Sequence, residues 1–381
     1  MASRTRIRPQ ELRFAEKLAS LHWPLVALLL LIGCVGYLVL YSAGGGHHQP
    51  WALRHGARLA VGLLVMLAVA LVDIRFWYRW SYVLYGGAFA MLVGVEILGE
   101  INKGAQRWVD LGFVQIQPSE LMKIGLVLCL ARYFHSAYLD DVKRPLYLLP
   151  PLAMIGLPAL LVLKQPDLGT SITLLAVGGA LLFLAGVRLW KFGLAIAGVA
   201  AVLPIAWGSL HDYQRQRVLT FLDPESDPLG AGYHIIQSKI ALGSGGFWGK
   251  GFLMGSQAQL SFLPEKQTDF AFTMLAEETG FVGAMIVLLL YLAVVALSLT
   301  VAVRATHQFG RLLAMGIGVN FFLYVVINVA MVTGLIPVVG VPLPMISYGG
   351  TAMLTTLFGF GLLLSVDVHH TTNIPRFPTD L

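Results

Sequence analysis

The feature that most constrains this chain is a recurrence. Apolar windows long enough to cross a bilayer, about 17–25 residues each, follow one another along almost its whole length. Ten of them lie near residues 22–42, 56–72, 80–98, 119–136, 146–163, 170–187, 189–209, 270–302, 311–333 and 349–367. In hydrocarbon a segment must satisfy its own backbone N–H and C=O groups, so runs of this kind have to be helices. Only 12% of the residues are charged, about half the share of a soluble domain. The expected fold class is therefore all-α: a polytopic membrane protein of about ten transmembrane helices, forming one membrane domain over residues 1–381. No soluble domain, low-complexity tract or internal repeat interrupts it. The eighth window exceeds one span, which predicts a helix that tilts or runs beyond the bilayer.

Lys and Arg set the orientation. The N-terminal tail, residues 1–21, carries Arg4, Arg6, Arg8, Arg13 and Lys17. The even-numbered connections add Arg75, Arg79, Lys143, Arg144, Arg188, Lys191, Arg304 and Arg311. These segments and the 368–381 tail are expected in the cytoplasm. The long loop between helices 7 and 8, residues 210–269, with five basic and six acidic residues, is expected outside. The net charge of +6 is thus a topology signal and gives no reason to invoke nucleic acid. The first apolar run reads as a retained signal anchor. Cys34 and Cys129 fall inside spans, where packing is their default role.

Polar residues gather at the outer ends of the spans: Arg54 and Arg58, then "KGAQRWVDLGFVQIQPSE", "KQPDLGTS", the 210–269 loop and "PVVGVPLPMISYGG". A transporter would favour the midplane instead. "GSGGFWGKG" (243–251) is a poor phosphate loop, because Ser244 stands where the first Gly belongs and Gly251 where Ser or Thr should follow the Lys. It reads as a Gly-rich turn between short interfacial helices. The pairs His47-His48 and His369-His370 lack a third metal ligand nearby.

Glu120 and Lys123 sit at i and i+3 just inside the fourth span, after Pro118 opens the helix. Two readings stand: an ion pair that lets both charges sit there, or the lining of a polar cavity with Lys123 open to an anion or to Asp269. Arg107 and Trp108 are either an interfacial anchor or a contact for a sugar and a phosphate. Arg215, Arg217 and Lys239 are lipid-headgroup contacts or pyrophosphate clamps. Asp269, in "FLPEKQTDFAFTMLAEETG", marks a helix start where Thr268 could serve as N-cap. An acid at the positive helix end gains at most about 1 kcal/mol, and that does not account for Glu277 and Glu278 deeper in the same helix. Partial desolvation at a membrane edge makes a carboxylate a better proton acceptor, which suits a general base.

Taken together, "KGAQRWVDLGFVQIQPSELMKI", "QPDLGTS", "HDYQRQRV", "FLDPESDPLGAGYHIIQSKIALGSGGFWGKG", "FLPEKQTDFAF" and "GLIPVVGVPLPMISYGG" resemble the SEDS family (shape, elongation, division and sporulation proteins), and its elongation branch more than its division branch. The resemblance implies a peptidoglycan glycosyltransferase that polymerises lipid II at the outer face of the bacterial cytoplasmic (inner) membrane. It also implies a class B penicillin-binding protein as transpeptidase partner, the elongation machinery and a nascent glycan strand. The family's essential acid falls on Asp269 and its buried ion pair on Glu120 and Lys123. Relatives often carry His where this chain has Gln267. Arg107, Trp108, Arg215, Lys239, Glu277 and Ser347 complete the candidate substrate and cavity residues.

The implied chemistry is an inverting displacement of undecaprenyl pyrophosphate. It requires no cofactor, and a divalent cation, Mg or Mn, has a place beside the pyrophosphate. Two rival functions remain at this stage: a lipid II flippase, and a scaffold that only recruits the transpeptidase.

Overall fold

The computed structural model describes residues 14–98, 100–102, 105–110, 115–209, 215, 219–221, 223, 231–259 and 265–376. After a short amphipathic helix, α1 (Phe14–Ala19), the chain forms α2 (Trp23–Ala43), α3 (Ala52–Leu71) and α4 (Ile74–Leu98). There follow α5 (Pro118–His135), α6 (Leu139–Lys143), α7 (Leu149–Lys164), α8 (Leu168–Leu184) and α9 (Leu189–Ser209). Two helices, α10 (Ala231–Ser244) and α11 (Ser256–Gln259), lie in the long loop, before α12 (Ala271–Arg304), α13 (Gln308–Val332) and α14 (Gly350–Val368). Each of the ten apolar windows carries one long helix. Among the described residues, α2, α3, α7, α12, α13 and α14 are long and apolar enough to cross a membrane, and α8 and the start of α9 are shorter apolar helices. The chain is an all-α, multi-pass membrane protein.

The connection before α5 is more than a loop. It holds three short strands, β1 (Glu100–Asn102), β2 (Ala105–Asp110) and β3 (Gln115–Ile116), in antiparallel order β1-β2-β3. Glu100 pairs with Trp108, and Val109 with Ile116. The Thr351 hydroxyl donates to the Gln115 carbonyl at 3.2 Å, tying this sheet to the start of α14.

Helix α5 is the hub of the bundle. Of its eighteen residues only Leu121, Arg132 and Tyr133 escape burial. It packs against α4, α8 and α13, and α14 lies against α3 and α13. A helix surrounded in this way can carry Glu120 and Lys123 only if the charges find each other, because water is out of reach.

The long eighth window proves to be a broken helix. At Gly280 the backbone takes φ 69° and ψ −166°, so α12 divides into a short segment and a longer one. Breaking a helix frees backbone groups that must be paired again, and the Gly-rich turn supplies the partners. Phe281 and Val282 donate their N–H groups to the carbonyls of Gly246 (2.9 Å) and Phe247 (3.2 Å). The carbonyls of Glu277 and Glu278 accept from the N–H groups of Lys250 (3.1 Å) and Gly251 (3.0 Å). The segment 245–251 therefore plugs the break, a structural task that accounts for its glycines. Only glycine tolerates the Gly280 geometry, and a β-carbon there would also lie 2.7 Å from the Phe247 carbonyl oxygen. Gly280→Ala is expected to cost at least about 1–3 kcal/mol through backbone strain alone, read as a lowered Tm of the purified protein. Gly87→Ala, where a β-carbon meets nothing within 4 Å, should leave the Tm close to wild type.

Candidate active site

Asp269 closes a turn, residues 265–270, at the head of α12 and is half-buried. Glu265 enters the turn with φ 55°, and its carbonyl accepts from the Thr268 N–H at 3.0 Å. The Thr268 hydroxyl bonds to the Glu265 carboxylate at 3.1 Å, so Thr268 serves the turn. The cap position itself falls to Phe270, with no side-chain cap. This corrects the expectation of Thr268 as N-cap: the helix starts two residues later than the Ser/Thr preference suggests, because Thr268 and Asp269 belong to the turn.

Other elements clamp the turn. The Asn328 amide near the end of α13 donates to the carbonyls of Asp269 (3.0 Å) and Val341 (2.8 Å). The Tyr348 N–H donates to the Gln267 carbonyl at 2.7 Å. A β-carbon on Gly340, whose φ is 70°, would lie 3.6 Å from Asp269 Oδ2, so the carboxylate adjoins the "PVVGVPLPMISYGG" loop. Asp269 is thus a half-buried acid on a rigid backbone, facing a loop that bends at a glycine.

Cations and a histidine surround this turn. Arg58 of α3 lies over the Tyr348 ring at 4.7 Å. On α10, Ser238 bonds to Thr273 and to the Val332 carbonyl, each at 2.8 Å, fixing that helix against α12 and α13. The next residue, exposed Lys239, rests on Gly334, where a β-carbon would lie 2.9 Å from its Nζ. His234 stands with its ring 6.3 Å from that of Phe270; burial pushes its imidazole below the usual range, against the pull of Glu265. Burial likewise pushes the Lys266 ammonium below its ordinary value. An ionisable ring therefore lies near the turn.

The other candidates fall into separate groups. Glu120 and Lys123 are both buried, with Lys123 Nζ 2.7 Å from Glu120 Oε1. Tyr324 of α13 completes the set: Lys123 donates to its hydroxyl, which donates in turn to Glu120 Oε2 at 2.6 Å. Thr355 of α14 reaches the same oxygen at 3.4 Å. The ion pair ties α5, α13 and α14 together, and Lys123 spends its charge inside it. Tyr324 also borders a water-sized cavity of about 10 Å³ beneath the loop that contains Ser347. Ser347 itself is buried and closes a turn, its hydroxyl accepting from the Leu343 N–H at 2.9 Å.

Arg107 joins the sheet to the turn between α7 and α8. It donates to the carbonyls of Gln165 (3.1 Å) and Pro166, with Asp167 3.9 Å away. Asp167 caps α8 by accepting from the Thr170 N–H at 3.2 Å. Trp108 is half-buried on β2. Arg215 donates to the Gly208 carbonyl at 2.7 Å. Glu277 is fully buried: its Oε1 meets Lys250 Nζ at 2.7 Å and the Gln257 N–H at 3.1 Å, while Glu278 accepts from Ser42 of α2. These two acids hold the plug in place.

Asn328, Tyr324, Lys250 and His234 were not singled out from sequence. Asn328, one of two Asn in the apolar run of α13, is a signal of the right kind, since buried polar groups are usually hydrogen-bonded.

Comparison with known proteins decides the family. Residues 20–372 match the profile of the FtsW/RodA/SpoVE family, described as cell cycle proteins. The chain belongs to the FtsW/RodA/SpoVE family. It is 47% identical to the peptidoglycan glycosyltransferase MrdB of Escherichia coli strain K12 over 95% of this chain and 97% of that protein. It is 36% identical to the probable peptidoglycan glycosyltransferase FtsW of Trichlorobacter lovleyi, over 93% of this chain and 95% of the relative. Among solved structures, one of a peptidoglycan synthase complex that coordinates polymerization and crosslinking superposes with a TM-score of 0.81. It is 31% identical and covers 93% of this chain and 99% of its own. The rod shape determining protein RodA of Thermus thermophilus gives a TM-score of 0.67 at 27% identity, covering 93% of this chain and 98% of its own. The resemblance drawn from the motifs is thus a family membership, and the FtsW/RodA/SpoVE fold accounts for nearly the whole chain.

Proposed function

We propose that this chain is a peptidoglycan glycosyltransferase that polymerises lipid II into glycan strands at the outer face of the bacterial inner membrane during elongation. The observation that carries the reading is Asp269: a half-buried acid on a turn stitched to α13 and to the loop before α14, in a chain 47% identical to a peptidoglycan glycosyltransferase. The basic residues at the opposite helix ends and in the N-terminal tail support cytoplasmic termini and an outward-facing site.

The GlcNAc 4-hydroxyl of an incoming lipid II attacks the anomeric carbon of the growing lipid-linked strand. Asp269 takes the hydroxyl proton as the new C–O bond forms. The bond from the anomeric carbon to the pyrophosphate oxygen breaks, and undecaprenyl pyrophosphate leaves with the electron pair, inverting α to β. A single base and a stabilised leaving group suffice for such a step. Lys239 and Arg58, on the Asp269 side, are placed to meet the pyrophosphate, with Arg215 a further candidate. Glu120 and Lys123 act from beneath, holding the three helices on which the site rests. Among the described residues there is no group of three or more His, Cys, Asp or Glu side chains fit to hold a metal ion. A divalent cation (Mg or Mn) would therefore be held mainly by the pyrophosphate it neutralises.

The partner in this reading is a class B penicillin-binding protein. An apolar groove of about 330 Å³ between α12 and α13, lined by Leu288, Tyr291, Phe322 and Val326 among others, would receive its transmembrane helix.

Asn328→Ala removes two buried hydrogen bonds and is expected to cost about 1–3 kcal/mol. Because one of them fixes the Asp269 carbonyl, turnover should fall more than lipid II affinity, read from initial rates across lipid II concentrations. The flippase reading is separated from the enzyme in detergent micelles, where there is no bilayer to cross. Glycan strands formed there from labelled lipid II by the protein and its partner support polymerisation. Translocation in vesicles with no strands in micelles would favour the flippase.

A further inference from the structure

The end of the bundle remote from Asp269 holds a built polar cavity that polymerisation does not use. Asn328, bonded to the Asp269 carbonyl, lies twenty residues along α13 from Gln308. At 1.5 Å per residue that is about 30 Å, the thickness of the hydrocarbon core. Around Gln308 lies a cavity of about 600 Å³ between the first turn of α13 and the segment 371–376.

This segment is a wall tied at several points. Thr306 donates its N–H (3.2 Å) and its hydroxyl (2.6 Å) to the His370 carbonyl. His135, the last residue of α5, bonds through Nε2 to the Ile374 carbonyl at 3.2 Å and accepts the Phe309 N–H at Nδ1. Ser136 donates to the Arg376 carbonyl at 2.9 Å. So many ties would let the segment pack flat, yet the cavity remains.

Its lining is cationic and rich in donors: Arg311, Arg376, Thr306, Thr372 and Asn373, with no Asp or Glu among the described lining residues. Neither arginine forms an ion pair with a described carboxylate; Arg311 reaches the Ala305 carbonyl at 3.4 Å and Arg376 stacks 5.1 Å from the Tyr138 ring. The acid of the neighbouring α14 end, Asp367, does not line the cavity. The first turn of α13 borders it, with its Phe309 and Gly310 N–H groups already capped by His135 and His307. His307, which also lines it, is only 6% exposed. Its Nδ1 accepts the Gly310 N–H at 2.8 Å, and its other side faces the His369 backbone. Burial, then His135 and other nearby cations, push its imidazole down to about 4. The ring is neutral at pH 7, and with Nδ1 accepting, its Nε2 proton turns to the His369 backbone, so His307 adds no charge to the cavity.

We propose that this cavity binds a phosphate-bearing anion, the headgroup phosphate of an anionic phospholipid, through Arg311 and Arg376, with Thr372 and Asn373 beside them. Two guanidinium groups, with a hydroxyl and an amide on the same wall, match a phosphate oxygen set. Position favours a headgroup over a soluble ion, because the cavity sits where the helices end, at headgroup depth. The site is about 30 Å from Asp269 and does not depend on the polymerase reading.

The test uses the full-length protein purified in detergent. In one arm, native mass spectrometry counts retained lipid from micelles doped with phosphatidylglycerol or phosphatidylcholine. In the other, inorganic phosphate is titrated against thermal unfolding. Wild type should retain phosphatidylglycerol at least tenfold over phosphatidylcholine, and Arg311→Gln/Arg376→Gln should erase that preference. Should the double variant fail to fold, Arg376→Gln, whose side chain rests on exposed Tyr138, carries the same comparison. An arginine-dependent rise in Tm with phosphate but no lipid preference would overturn the headgroup assignment and give the site to a soluble phosphate. Lipid retention and phosphate response equal in wild type and variants would overturn the site altogether.

Discussion

Asp269→Asn is expected to abolish most polymerisation, by about 10²–10⁴-fold, the usual contribution of a positioned general base. The amide is nearly isosteric, so the turn should survive: its stitching runs through backbone and neighbouring side chains, namely the Asn328 amide to the Asp269 carbonyl and the Tyr348 N–H to the Gln267 carbonyl. Neither of these bonds needs the carboxylate charge. The variant should therefore fold, bind its partner and bind lipid II while failing to remove the acceptor proton. That pattern separates the enzyme from the scaffold and flippase readings, under which a neutral amide at Asp269 changes little. Asp269→Glu tests geometry rather than charge. The added methylene pushes the acid toward Gly340, now 3.6 Å from Oδ2 at the position of a β-carbon, so partial activity below wild type is the expected result.

Lys123→Met is expected to destabilise the protein by about 3–5 kcal/mol, the cost of leaving one member of a buried pair uncompensated. The side chains of Lys123 and Glu120 are 2% and 6% exposed, so the orphaned carboxylate cannot recruit water, and only the neutral Tyr324 and Thr355 hydroxyls are left to satisfy it. Glu120→Gln/Lys123→Met removes both charges and should be less destabilising than the sum of the two single substitutions. A double-mutant cycle in thermal or denaturant unfolding of the purified protein gives that coupling directly. Additive effects would mean that the pair contributes no more than two independent polar groups. Loss of activity in the single variants should follow loss of fold. Asp269→Asn should show the opposite order, losing activity with its fold intact.

The sequence made the helices legible because membrane solvation leaves few choices: ten apolar windows correspond to ten long helices, with boundaries shifted by a few residues. What it concealed was non-local. Gly280 in "AEETGFVG" does not by itself announce a break, since an isolated glycine is tolerated inside a helix and the apolar run resumes at Phe281. The break is stable only because residues 245–251 pair with its freed groups. Glu277 and Glu278 were visible as charges out of place, but their partners Lys250 and Ser42 lie 27 and 236 positions away. The strands before α5 likewise depend on pairing across turns, where periodicity is short and weak. At the site, Asp269 was legible from its motif and its depth, and the Glu120–Lys123 pair from its spacing. Asn328, which fixes the Asp269 carbonyl from α13, sits 59 positions downstream; a sequence shows that it is polar and buried in an apolar span but not what it holds.

The central claim is that Asp269 removes the proton in glycan polymerisation. The most direct measurement is the initial rate of strand formation from labelled lipid II by the purified protein with its transpeptidase partner, for wild type and Asp269→Asn, at matched thermal stability and matched partner binding. The account predicts strands from wild type and a rate at least about a hundredfold lower from the variant. Equal rates from the two proteins would contradict it.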